Sequence, residues 1–227
     1  VDSPEEFISY ITKVVNYEKR IQSSGGHHKV LFISNLYDGD ETTNRYIGEN
    51  ILGTGWNLTY LAEREKNKNS ETIKWFEIYR GPRYRKIGEL NYRNYNDNLQ
   101  NIKDYIPDFI NNNSPQFTNY NGHGINPPCG WGCFFGTHSA STLTNEFPTI
   151  AFAGSCDTAK FVNTSHNYYT ITEALGEASN FTGEICDQSD DKDWFGELFV
   201  KNPNGGAVVY IGSTVVVQDW CQDLNKY

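Results

Sequence analysis

Apolar positions along this chain keep two different rhythms. In SPEEFISYITKVVNYEKRIQ the residues Phe7, Ile11, Val14, Val15 and Ile21 recur near a helical period. Ser3 fits an N-cap, Pro4 the first helical position, and Glu6 the return partner of a capping box. A helix is predicted there, ended by SSGGHHK. The second rhythm is an unbroken apolar run. VLFIS (Val30 to Ser34), the stretch Pro148 to Ser155 within FPTIAFAGS, and GAVVYIGST (Gly206 to Thr214) read as strands buried on both faces. Phe117 to Tyr120 reads as a shorter strand. RYIGENILG, LQNIKDYIPDFINN and DWFGELFVKNPNG predict helices between them, and NLYDGDETTN a polar loop.

Buried strands alternating with helices predict an α/β fold, a parallel sheet with helices on both faces. In such sheets ligands bind off the C-terminal ends of the strands. Four segments then converge on one edge: NLYDGD, the NGHG after Tyr120, Cys156, and Ser213 to Asp223. Residues 59 to 100 break the rhythm. Nine Lys and Arg lie between Arg64 and Arg93, with Trp75, Tyr79, Tyr84 and Tyr92 among them. This stretch reads as a solvated hairpin or lid, or else as a polyanion-binding patch.

Composition narrows the choices. A net charge of −9 on 227 residues argues against nucleic acid as a partner, and against the patch. No apolar run approaches the ~18 residues of a membrane span. VDSPEEF lacks the basic start and apolar stretch of a signal peptide. With no Met anywhere, the first residue is expected to be a processed or cut end. The five cysteines leave at least one thiol over if the rest pair. CGWGC, Cys129 to Cys133, fits a small disulfide loop or half of a metal site; no second such pair follows, which favours the disulfide. Sequons at Asn57, Asn112, Asn163 and Asn180 fit a secreted protein, though an Asn-rich chain also produces them by chance.

The chemistry gathers at NYNGHG, Asn119 to Gly124, and at GSC, Gly154 to Cys156. A cysteine attacks well when a histidine can take its proton. The reaction also needs N–H donors for an oxyanion, which Gly124 and Cys156 can supply. Gly122 and Gly154 would let a substrate approach the backbone closely. Taken alone, one Cys and one His on neighbouring strands fit a buried structural thiol better than a nucleophile.

NYNGHG, with Cys156 33 positions after His123, is similar to the gingipain family of cysteine peptidases. That family belongs to the caspase-like group that also holds legumains and separases. SPEEFISYITKVVNYEKR, THSASTLTN, FPTIAFAGSCDTAKF, FGELF and GGAVVYIGST resemble family segments in order. Stretches near 59–95 and 163–192 look like insertions. The resemblance implies one catalytic unit over 1–227, a caspase-like α/β/α sandwich around a mostly parallel sheet. In the family a smaller subdomain precedes this unit, and it is expected to be missing from this chain.

The resemblance also implies roles. His123 is the base and acid of peptide-bond hydrolysis. Cys156 is the nucleophile that forms a thioester, and the Gly124 and Cys156 N–H groups hold the oxyanion. An acid after the first strand orients the histidine in many members; Asp38 is the first choice, Asp40 the second, and both also fit plain turn residues around Gly39. Specificity lies in GSTVVVQDWCQD, from Ser213 onward. Trp220 matches the wall of the S1 pocket, and Asp223 matches the acid of lysine-specific members. Arginine-specific members carry an acid just before the second helix, where this chain has about Arg45. Cleavage after Lys, and less readily after Arg, is expected. The basic 64–93 stretch would then be a site of self-cleavage.

The implied partners are polypeptides, the implied setting secreted, cell-surface or periplasmic, and no cofactor is required. DQSDDKD (Asp187 to Asp193) reads as a solvated acidic loop, with structural Ca²⁺ as the alternative. Its acids disfavour a thiolate at Cys186. His27, His28, His138 and His166 read as structural or surface groups. A transpeptidase with the same dyad, a catalytically dead peptide binder and a non-enzymatic polyanion binder remain the rival readings.

Overall fold

The computed structural model describes residues 3–26, 28–35, 38–68, 71–91, 100–124, 130–132, 134–156, 158–159 and 194–213. Strands β1 (Lys29–Ser34), β6 (Phe117–Asn121), β7 (Thr149–Gly154) and β8 (Ala207–Gly212) form where apolar runs predict them. They join β2 (Asn57–Lys68), β3 (Glu71–Arg80), β4 (Arg85–Asn91) and β5 (Gln100–Asn101) in one sheet, in the order β5-β4-β3-β2-β1-β6-β7-β8. Five of the seven pairings are parallel; β2–β3 and β3–β4 are antiparallel.

Alternation along the strands divides the core into two faces. Leu31, Ile33, Leu61 and Phe76 pack with Ile106 and Ile110 of α3 (Ile102–Asn113), Ala140 of α4 (Thr137–Ser141), and Phe195 and Phe199 of α5 (Phe195–Lys201). Val30, Phe32, Leu58 and Tyr60 pack on the other face with Ile47 and Leu52 of a π-helical turn, Ile47–Leu52. Helices thus flank a mostly parallel sheet on both sides, as the caspase-like fold requires.

Three sequence expectations change. NLYDGDETTN is mostly not a loop, because helix α2 already begins at Asp38 and runs to Tyr46. Its apolar spacing is absent because α2 is held by polar side chains. Asn44 bonds Ile33 O and Ser34 Oγ, and Glu41 pairs with Arg64 of β2.

The 59–95 stretch is indeed a hairpin system, but it is part of the main sheet. β2 runs parallel beside β1, Lys29 facing Asn57 through Ser34 facing Ala62. Three of its cations, Arg64, Lys74 and Lys86, pair with acids. Arg64 binds Glu77 at 3.0 Å, and Lys86 binds Glu89 at 2.6 Å and also Glu77. Against the desolvation of burial, hydrogen bonds from Lys86, Tyr79 and Arg64 pull the Glu77 carboxyl down to about 2.

Helix α1 (Pro4–Ser24) forms with the predicted cap, Ser3 Oγ accepting from Glu6 N–H at 3.1 Å. The face it turns inward is not the apolar one. Phe7, Ile8, Ile11 and Val15 are exposed. Instead Tyr10 Oη donates to Val208 O, the Tyr17 ring meets Phe147, and Lys13, only 8% exposed, donates to Val200 O and Gly205 O at 2.6 and 2.9 Å.

Candidate active site

Register sets the site. Ser34 faces both Ala62 and Asn121, and Asn121 faces Gly154, so β1, β6 and β7 end at one level, beside Ala62 in the middle of β2. His123 lies two residues past Asn121, and Cys156 two past Gly154. The two segments touch. A β-carbon added to Gly124 would collide with the Cys156 carbonyl oxygen and lie 2.7 Å from both C and N of Cys156. The Ala159 N–H donates to Ser213 O at 2.9 Å, so the segment after β8 joins the Cys156 turn. His123, Gly124, Cys156 and Ser213 are therefore gathered on one edge. The Cys156 side chain is partly buried.

The glycines around His123 serve the chain itself. Gly122 has φ +153°, and a β-carbon there would sit 2.6 Å from Asn35 Cβ and 2.9 Å from Tyr120 Oη. A β-carbon at Gly154 would meet Asn121 Oδ1 at 2.5 Å. Protein atoms occupy the space that the sequence reading gave to substrate. The His123 turn is held by its own carbonyl, which accepts from Tyr120 Oη at 2.6 Å and from Gly132 N–H at 2.8 Å. Gly122 N–H donates to Gly154 O at 3.3 Å, and Asn35 N–H to Asn121 O at 2.9 Å.

Although His123 reaches solvent, desolvation holds its imidazole below the usual histidine range, and the charge of Lys74 adds to this. A base that stays neutral at lower pH is ready to accept a proton. Lys74 stands on β3, and its Nζ lies 3.6 Å from Glu63 Oε1 on β2. Glu63 follows Ala62, the residue level with Ser34, so it lies beside the C-terminal end of β1, with a side chain only 2% exposed. Sequence reasoning missed Glu63 because it opens the charged stretch read as an insertion. The available signal was an acid directly after the apolar run LTYLA.

Asp38 opens α2 just past the end of β1, so its backbone belongs to this edge, but its side chain lies outside those described, as does that of Asp40. Trp220 and Asp223 lie outside the described residues, as do Cys129, Cys133, Cys186 and the DQSDDKD segment. Asn35 is 3% exposed, and its Oδ1 has no hydrogen-bond partner among the described residues.

A family model described as peptidase family C25 matches residues 1–227, the whole chain. The chain belongs to peptidase family C25. C25, the gingipain family, is a family of cysteine peptidases, hydrolases whose substrates are polypeptides. No curated protein and no solved structure matches the chain. No described helix is long and apolar enough to cross a membrane.

Proposed function

We propose that this C25 peptidase is an endopeptidase that cuts after lysine, using His123 and Cys156. The contact between Gly124 and the Cys156 backbone carries the reading, because it puts the histidine turn and the cysteine turn side by side. Cys156 Sγ attacks the scissile carbonyl carbon, and the π electrons move onto oxygen. The N–H groups of Gly124 and Cys156 are the donors for that oxyanion. His123 takes the Cys156 thiol proton as Sγ attacks, and gives that proton to the leaving amine as the C–N bond breaks. It then takes a proton from the water that opens the thioester, and the thiol is regenerated.

Glu63 is the carboxylate best supported as the group that orients His123, ahead of Asp38. It is buried beside the end of β1 and paired to the lysine whose charge acts on the imidazole. Lysine preference rests on the sequence pattern of Trp220 and Asp223. Arg45, which the resemblance matched to an acid just before the second helix, instead lies in the last turn of α2, paired with Glu49 at 2.9 Å. Export from the cell is supported by the four sequons. Self-cleavage fits Lys68 best, an exposed lysine at the end of β2.

The test is labelling with a peptidyl acyloxymethyl ketone bearing Lys at P1, read by intact mass and peptide mapping. A norleucine probe and a Cys156→Ala protein run beside it. Modification of Cys156 by the Lys probe alone is expected. Equal labelling by both probes would keep the peptidase and remove the basic pocket. No labelling of folded, reduced protein would remove the dyad.

A further inference from the structure

The hexapeptide NYNGHG places its histidine between residues that have no side chains to hold it. Asn119, Tyr120 and Asn121 supply the hold, on both faces of the sheet. Tyr120 points to the α3 face, where it is fully buried, and its hydroxyl donates to the His123 carbonyl at 2.6 Å. Asn119 and Asn121 alternate to the opposite face, where α2 lies. There both amide groups donate to one atom, Asn44 Oδ1, at 2.5 and 2.9 Å.

Asn44 closes the set on the side of β1. Its Nδ2 donates to Ser34 Oγ at 2.7 Å and to Ile33 O at 3.3 Å. An asparagine side chain has two donor hydrogens and two acceptor lone pairs. All four are used here, at a residue 1% exposed. A buried polar network of this kind stabilises one geometry when it is complete and is costly when it is broken.

We infer that Asn44 is a positioning residue: it locks the C-terminal end of β6, and with it the His123 turn, against the end of β1. The Asn44 side chain bonds Ile33, Ser34, Asn119 and Asn121. It acts through Asn121, whose carbonyl accepts from Asn35 N–H and whose neighbour Gly122 bonds Gly154 on the cysteine strand. Cysteine-side and histidine-side strands are thus in register through backbone bonds that begin where the Asn44 bonds end. A helix with an almost wholly polar sequence, DGDETTNRY, gains a reason for its place. Displacing α2 would move the histidine.

The activity readout rests on the peptidase reading; a second readout does not. Asn44→Ala, Asn44→Asp, Asn121→Ala and the double Asn44→Ala/Asn121→Ala are compared with wild type. kcat and KM are measured on a Lys-containing peptide, and circular dichroism confirms folding. The His123 ring is titrated by NMR in a Cys156→Ala background. Asn44→Ala is expected to lower kcat about 10- to 100-fold, since small misplacements of a reacting group carry costs of this order, while KM stays within about twofold. The His123 titration should move upward, as a loosened turn lets water reach the ring.

Asn44→Asp should recover part of the loss. One carboxylate oxygen still accepts from Asn119 and Asn121, and the other can accept from Ser34 Oγ. The double variant should be no slower than Asn44→Ala, because both changes break one network. The inference is overturned by a folded Asn44→Ala with kcat within about twofold of wild type. It is equally overturned if Asn44→Asp is no better than Asn44→Ala and the His123 titration does not move. If wild type cleaves no peptide, the peptidase reading falls and the titration decides: a shift supports the role of Asn44, an unmoved curve ends it.

Discussion

Gly124 rests on the backbone of Cys156 with no room for even a methyl group between them. The C and N atoms of Cys156 would each lie 2.7 Å from a β-carbon at Gly124. A backbone neighbour cannot swing aside as a side-chain tip can, so a methyl here must push two chain segments apart. Gly124→Ala is expected to cost roughly 1–3 kcal/mol of stability, the range for overpacking a tight contact. Its effect on catalysis should be larger, about 100-fold or more in kcat/KM, because both proposed oxyanion donors move. Thermal unfolding and peptide hydrolysis, measured on the same preparation, check the two figures.

Glu63 and Asp38 make opposite forecasts. If the buried carboxylate in the middle of β2 orients the imidazole, Glu63→Gln lowers kcat roughly 10- to 100-fold with KM little changed. Asp38→Asn then stays within about threefold of wild type. The reverse order in steady-state kinetics would return the role to the loop after β1.

Lys74 offers a charge-specific test. Desolvation first, and Lys74 second, hold the His123 pKa low. Lys74→Met removes the positive charge and leaves the Glu63 carboxylate without it, so both changes favour the imidazolium. The His123 titration, followed by NMR in the Cys156→Ala background, should move up but remain below that of an exposed histidine. A downward move would contradict the arrangement of the three groups. Because the folded-state pKa is depressed, the unfolded chain binds more protons in the window just below the ordinary histidine pKa. Stability should therefore rise with pH through that window.

Much of the fold could be read from the chain, and the exceptions share a cause. β1, β7 and β8 are apolar in sequence on both faces, so their runs stand out. Helix α2 could not be read, because its buried contacts are made by Asn44 and Glu41, residues that sequence patterns assign to loops. The β2–β4 meander was taken for a solvated insertion because its strands are charged. In the fold those charges find one another, Arg64 with Glu41 and Glu77, and Lys86 with Glu77 and Glu89. Within the site, His123, Gly124, Cys156 and Ser213 could be placed from strand ends alone. Glu63 could not, since its meaning depends on β2 running parallel beside β1.

Lys13 carries a pH forecast of its own. Burial lowers its pKa to about 8, while the backbone carbonyls it donates to hold the charged form below that pH. Between about 8 and the ordinary lysine value near ~10.4, the unfolded chain binds more protons than the folded one. Folding stability should therefore rise with pH across that window, by at most about 3 kcal/mol at ~1.4 kcal/mol per pKa unit. Lys13→Met should lose this rise. Urea unfolding of both proteins at pH 7.5 and 10 is the measurement, and parallel profiles would refute the assignment.

Helix α1 is moored largely by polar bonds. Bonds from Tyr10, Lys13 and Arg20 tie it down, the last to Glu146 O at 2.7 Å, while Phe7, Ile8, Ile11 and Val15 already face water. Lifting such a helix uncovers little new apolar surface, and denaturant promotes an opening only in proportion to the surface it uncovers. The amides of α1 thus belong to an opening that hydrogen exchange would register as a separate unit, nearly indifferent to urea, beneath the urea-sensitive unfolding of the sheet. The sheet edge that bears His123 and Cys156 would stay whole while its first helix comes and goes.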